Sequence, residues 1–104
     1  MSESADRYTA VELVRRWLAL NLERFGIEYR DLEQFENSTM ALAARCDVSG
    51  FLVDICVWDH AYCLDIMVYA QTSGALAYSA VGPCDDAMGV QERLASFAAW
   101  LSEI

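Results

Sequence analysis

The sequence contains no lysine. Its seven basic residues are all arginine, they face sixteen acids, and the formal charge is −9 over 104 residues. Such a surface repels free DNA, RNA and anionic membranes, and it attracts a basic protein. There is a single histidine, His60, and a single proline, Pro83. Any Ser/His or Cys/His catalytic arrangement must therefore use His60, which falls in an expected turn beside Asp59 with nothing else converging on it by spacing. Glycine is scarce, and neither GxGxxG nor GxxxxGK[ST] occurs, so no phosphate-cradling loop is expected. No basic patch can be drawn from the scattered arginines.

The four cysteines at 46, 56, 63 and 84 lack C-x-x-C spacing. The N-terminal residues also lack the basic and apolar regions of a signal peptide, so free, reduced thiols in a cytoplasmic protein are the expectation. Cys56, His60 and Cys63 form C-x3-H-x2-C, with Asp59 or Cys84 as a possible fourth ligand. That spacing matches no common zinc site, and neither a metal nor a cofactor is expected. Residues 66–84 carry no charge and are nominally long enough to span a bilayer. Gln71-Thr72-Ser73-Gly74 interrupts this run and Gly82-Pro83 closes it, so a β-hairpin explains it better than a membrane helix.

What is present is globular composition, with 56% apolar and 22% charged residues. The length suits one domain over residues 1–104. Charge is unevenly spread. Residues 1–50 hold nine acids and six arginines, whereas residues 51–104 hold seven acids and only Arg93.

Thr9-Ala10-Val11-Glu12 fits a capping box at the start of a helix over about residues 9–25. Val11, Val14, Trp17, Leu18 and Phe25 fall near one face, broken by Asn21, and Gly26 stands where a left-handed cap is expected. Residues 27–37 read equally as a loop, a short edge strand or a helical turn. Four strands follow at Thr39–Cys46, Phe51–Trp58, Tyr62–Ala70 and Ala75–Val81, with short connections that favour hairpins. The first of these has a composition that also suits a helix. Leu76, Tyr78 and Ala80 are expected to point inward. Asp85-Asp86 then open a second helix, whose stripe is Val90, Leu94, Phe97, Ala98, Leu101 and Ile104. The fold class is α+β: a four-stranded antiparallel meander with the N- and C-terminal helices packed on one face, in the order α-β-β-β-β-α.

That architecture leaves the other sheet face free. Phe51, Val53, Ile55 and Val57 face inward, as do Leu64, Ile66, Val68 and Ala70. Parity then requires facing pairs of these two strands to sum to an odd number. A two-residue turn gives 119 and sets Asp54 opposite Asp65. A four-residue loop gives 121 and sets Asp65 opposite Cys56, with Asp54 diagonal to it. Either register brings two carboxylates to the outward face beside Trp58, Met67 and Tyr69. The expected use of this face is partner binding through Asp54, Trp58, Asp59, Asp65, Met67 and Tyr69, with aromatic anchors and carboxylates for a partner's cations. The bland alternative is an ordinary solvated face, or one hidden by residues 27–37. An acid–base pair of Asp54 with Asp65 is disfavoured, because an open face has no cleft to raise either pKa.

Several segments together resemble a known family. They are Asn37-Ser38-Thr39 opening a strand, Val57-Trp58-Asp59 ending the next, Leu64-Asp65-Ile66 in a third, the Thr72-Ser73-Gly74 turn and the closing amphipathic helix. This set resembles the small immunity proteins of bacterial polymorphic toxin systems, of the TriTu type. The resemblance implies a non-enzymatic bacterial protein that neutralises a cognate toxin domain by binding it. It supplies no catalytic residues. A small acidic secretion chaperone for an effector protein, which would be dimeric, is the main alternative. A nucleic-acid mimic that blocks a DNA-binding enzyme is a third. The expected partner is a toxin or effector protein with a basic surface, not nucleic acid or membrane, and a monomer is favoured over a homodimer.

Overall fold

The first helix begins where the sequence places its cap. The computed structural model describes residues 9–35 and 41–104, and in it the Thr9 hydroxyl accepts the Glu12 amide at 3.1 Å. Helix α1 spans Ala10–Phe25 and ends on Gly26, whose φ of 66° is the left-handed conformation that glycine takes without strain. Asn21, the polar break in the apolar stripe, is buried, and its side-chain amide donates to the Trp17 carbonyl at 2.8 Å. That bond removes the penalty of an unpaired buried polar group.

The sheet has five strands, not four: β1 Glu28–Phe35, β2 Ala41–Val48, β3 Phe51–Trp58, β4 Cys63–Ala70 and β5 Leu76–Ala80. They form one antiparallel meander in chain order. The additional strand is the segment that pattern alone left undecided. A bulge between Tyr29 and Asp31 makes Arg30 an extra residue, and the period-two alternation breaks there. Thr39 and Met40, and with them Asn37-Ser38, lie outside the described residues.

Alternation elsewhere holds. Leu42, Ala44 and Cys46 of β2, Val53, Ile55 and Val57 of β3, and Leu64, Ile66 and Val68 of β4 are all buried on one face. Leu76 departs from the expectation. A second bulge, between Val68 and Tyr69 and their partners Tyr78 and Leu76, leaves Ala77 extra and turns Leu76 outward, 53% exposed.

Helix α2, Ala87–Glu103, starts at Asp86, whose carboxylate accepts the Gly89 amide at 2.7 Å. Gly89 is needed for a close approach, since a Cβ there would lie 2.4 Å from the Cys84 carbonyl oxygen. Val90, Leu94, Phe97 and Leu101 are buried as the stripe requires, whereas Ile104 lies past the last turn and is exposed. Aromatic rings join the layers. Successive centroids along Phe25, Trp17, Phe97, Tyr78, Trp100 and Phe51 are 5.3–6.5 Å apart. Both helices thus share one core with the inward sheet face. Among the described residues, no helix is long and apolar enough to cross a membrane.

Candidate functional site: the uncovered sheet face

With both helices on the inward side, the outward face has no covering element among the described residues. Register fixes what it displays, because facing residues of neighbouring strands point to the same side. One row across the sheet runs Glu28, Asp47, Leu52, Tyr69, Leu76. The next runs Asp31, Arg45, Asp54, Met67, Ser79. A third runs Glu33, Ala43, Cys56, Asp65. The last brings Ala41, Trp58, Cys63 and Pro83 together.

The β3–β4 pairing is the four-residue-loop register, with Asp54 opposite Met67, Cys56 opposite Asp65, and Trp58 opposite Cys63. The two expected carboxylates are therefore diagonal neighbours. Both have work inside the fold. Asp54 accepts from the Arg45 guanidinium at 2.9 Å, which raises the Arg45 pKa through that hydrogen bond. Asp65 accepts the Gly82 amide at 2.8 Å and holds the chain leaving β5.

Asp59 is not part of this face's contact set. Its carboxylate accepts the Val11 amide at 3.0 Å and caps the first turn of α1 from across the molecule. The helix dipole favours a negative group there, and the amide has no partner within its own helix. Replacing Asp59 with alanine is expected to lower stability by about 1 kcal/mol, the usual cost of losing a cap. Urea unfolding reads this directly, and an unchanged midpoint would show that the contact is idle.

The small residues Ala43 and Cys56 form the floor of a shallow depression of about 480 Å³, bounded by Asp31, Glu33, Arg45, Asp54, Asp65 and Met67. Burial, and then the charges of Asp54 and Asp65, push the Cys56 thiol up. Cys63 and Cys84 are also raised, first by burial, and Cys46 is pushed up to about 11 for the same reason. All four are protonated thiols at neutral pH, which makes them poor nucleophiles. Among the described residues, no group of three or more His, Cys, Asp or Glu side chains is placed to hold a metal ion. The Cys56, His60 and Cys63 side chains do not converge.

Compared with known proteins, the chain matches no family model, no curated protein and no solved structure. The face must speak through its own chemistry.

Two zones share it. The β1–β2–β3 side is charged: Asp31, Glu33 and Asp54 surround Arg45, while Asp47 holds Arg30 at 2.6 Å and also Gln71. The β4–β5 side is apolar apart from Asp65, with Met67 and Tyr69 in contact through the Tyr69 hydroxyl and the Met67 sulfur, and Leu76 exposed beside them. Trp58 closes the opposite end, half-buried. Sequence reasoning placed Asp54, Trp58, Asp65, Met67 and Tyr69 on this face, and the strand register agrees. It missed Asp31 and Glu33, because the Arg30 bulge hid their alternation. It also missed Leu76, for which no local signal marks the second bulge.

Proposed function

We propose that this chain is a protein-binding domain that grips a basic partner on its uncovered sheet face, and that the partner is a toxin domain it neutralises. One observation carries the reading: a face that, among the described residues, has no covering element, and that sets carboxylates around a small-residue depression and borders them with Trp58, Met67, Tyr69 and Leu76. Such a mixture suits an interface, where aromatic and methionine side chains give desolvated area and charged groups give steering and register. The net charge of −9 and the absence of lysine select a cationic partner. The toxin assignment rests on the sequence resemblance together with this charge.

The test is co-expression with the product of the neighbouring gene, followed by purification. A 1:1 complex and rescue of growth are expected. Replacing both Glu33 and Asp54 with arginine should weaken the complex at least about 100-fold, the scale of losing close interfacial charge pairs, with the fold retained and only a small fall in melting temperature, because the Arg45–Asp54 pair it breaks is exposed. Asp65 is avoided because its reversal would also free the Gly82 amide. Unchanged affinity in the double variant would remove the face from the reading. A stable dimer holding an unfolded effector segment would replace it with the chaperone.

A further inference from the structure

The two edges of the sheet differ in kind. Edge strand β1 carries Glu28, Arg30, Asp31 and Glu33, the charges by which natural sheets block unwanted pairing. Edge strand β5, Leu-Ala-Tyr-Ser-Ala, carries none, and it lies within the charge-free run 66–84. Its flank is exposed, with Leu76 at 53% and Val81 at 55%.

The hydrogen bonding shows which backbone groups are open. The Leu64 amide donates to the Gly82 carbonyl at 3.3 Å, which marks this as a bonded position of the ladder although the Gly82 amide goes to Asp65. Such pairs recur every second residue along an antiparallel ladder. Ile66 with Ala80 and Val68 with Tyr78 are then bonded pairs too, consistent with the observed register. The amides and carbonyls of the intervening Ser79 and Val81 point away from β4, to the open edge.

We infer that β5 is a docking edge for an extended basic segment of the partner, which adds as a sixth strand. This rests on the reading of the outer face as a site for a basic protein. Charge complementarity names the occupant. On the outer face, Ser79 and Val81 stand between an added strand and Asp65 of β4, two inter-strand spacings or about 10 Å away. An arginine beside the small Ser79 side chain reaches into that gap toward Asp65. A second copy of this chain would bring a β5 without a cation on a domain of net charge −9, and a strand of five residues buries far less than the roughly 800 Å² per partner of a stable interface. A segment alternating arginine with apolar residues satisfies edge, face and charge together.

The probe is a synthetic peptide of about ten residues that alternates arginine and valine, titrated into the intact chain and followed by amide resonances and hydrogen exchange. Binding is expected, with slowed exchange at Ser79 and Val81. A peptide of the same sequence, N-methylated on the arginines, keeps charge and side chains but cannot complete a ladder. It should bind at least about tenfold more weakly. Ser79→Pro should do the same at an unchanged melting temperature, since proline is tolerated on edge strands. If that variant melts lower, the N-methylated peptide decides. Equal binding of the two peptides, no binding of either, or protection confined to the rows of Asp54 and Asp65 overturns the docking edge. In the last case the outer-face reading still stands. Loss of binding in the Glu33 and Asp54 double variant alone, with Ser79→Pro unaffected, likewise overturns the edge and leaves the face. A dimer seen by light scattering and dissolved by Ser79→Pro would assign the edge to a second copy and overturn the inference.

Discussion

Truncating Phe97 to alanine is expected to destabilise the protein by about 3–5 kcal/mol, the range for removing a large buried aromatic. Phe97 is 1% exposed and is the largest of the fully buried side chains. Its ring lies 5.6 Å from Trp17 of α1, 5.5 Å from Tyr78 of β5 and 6.3 Å from Trp100 one turn along. It therefore touches both helices and the sheet at one point. Removing it opens a cavity among rings that cannot close in from three sides, so the cavity cost adds to the lost transfer energy. Against a typical total stability of about 5–15 kcal/mol, that loss leaves a domain this small marginal at 25 °C. At about 4–8 °C per kcal/mol, the melting temperature should fall by well over 10 °C. Calorimetry checks it. Phe97→Leu should cost less than half as much, because a branched side chain refills part of the space. A loss under 1 kcal/mol for the alanine variant would show that the rings repack, and that the aromatic chain is not a keystone of the core.

Arg93 gives the second large effect, by a different mechanism. It is the only cation among residues 51–104, and it is not a surface charge waiting for a partner. One terminal nitrogen donates to two carbonyls, Leu64 of β4 and Gly82 after β5, each at 2.7 Å. The Gly82 carbonyl also receives the Leu64 amide. The Leu64 carbonyl faces a Gly82 amide that is committed to Asp65. Without the guanidinium it loses a charge-assisted bond in a half-buried place. Hydrogen bonds to charged groups contribute about 1.5–3 kcal/mol each, and an orphaned acceptor adds a desolvation cost. Arg93→Met keeps most of the aliphatic stem and should cost about 2–4 kcal/mol, with the fastest rise in amide exchange around residues 81–86. Arg93→Lys should restore part of it, since an ammonium still offers donors but lacks the planar fork. If methionine is tolerated at full stability, water replaces the guanidinium and the clamp carries no weight.

Arg93 also accounts for a feature of the charge map. On the outer face the acids outnumber the cations, with Asp31, Glu33, Asp54 and Asp65 around Arg45, and the single arginine of residues 51–104 is turned into the structure. Several acids of the second half are engaged inside the fold. Asp59 caps α1, Asp86 caps α2, and Asp65 holds Gly82. Glu33 and Asp31, from the strand that pattern did not identify, border the depression in their place.

Faces were legible from the sequence because side chains alternate with a period of two, and that period is local. Thr9, Gly26 and Asp86 likewise act within a few residues of themselves, and their roles could be read from neighbours alone. The strand count could not. A bulge adds one residue at Arg30 and another at Ala77, and each addition reverses the phase that identifies an inward residue. Nor could the sequence choose between registers 119 and 121, since both satisfy the same parity. The His60–Tyr62 turn decides it by lengthening the connection to four residues.

The sequence by itself determined the apolar stripes, the helix ends, the odd parity of the β3–β4 pairing and the negative field. The tertiary structure decided which carboxylates are engaged inside the fold. That choice depends on contacts between Asp59 and Val11, 48 residues apart, and between Asp65 and Gly82, 17 apart. No local period records such distances: a carboxylate's availability is set by whichever donor the folded chain brings to it.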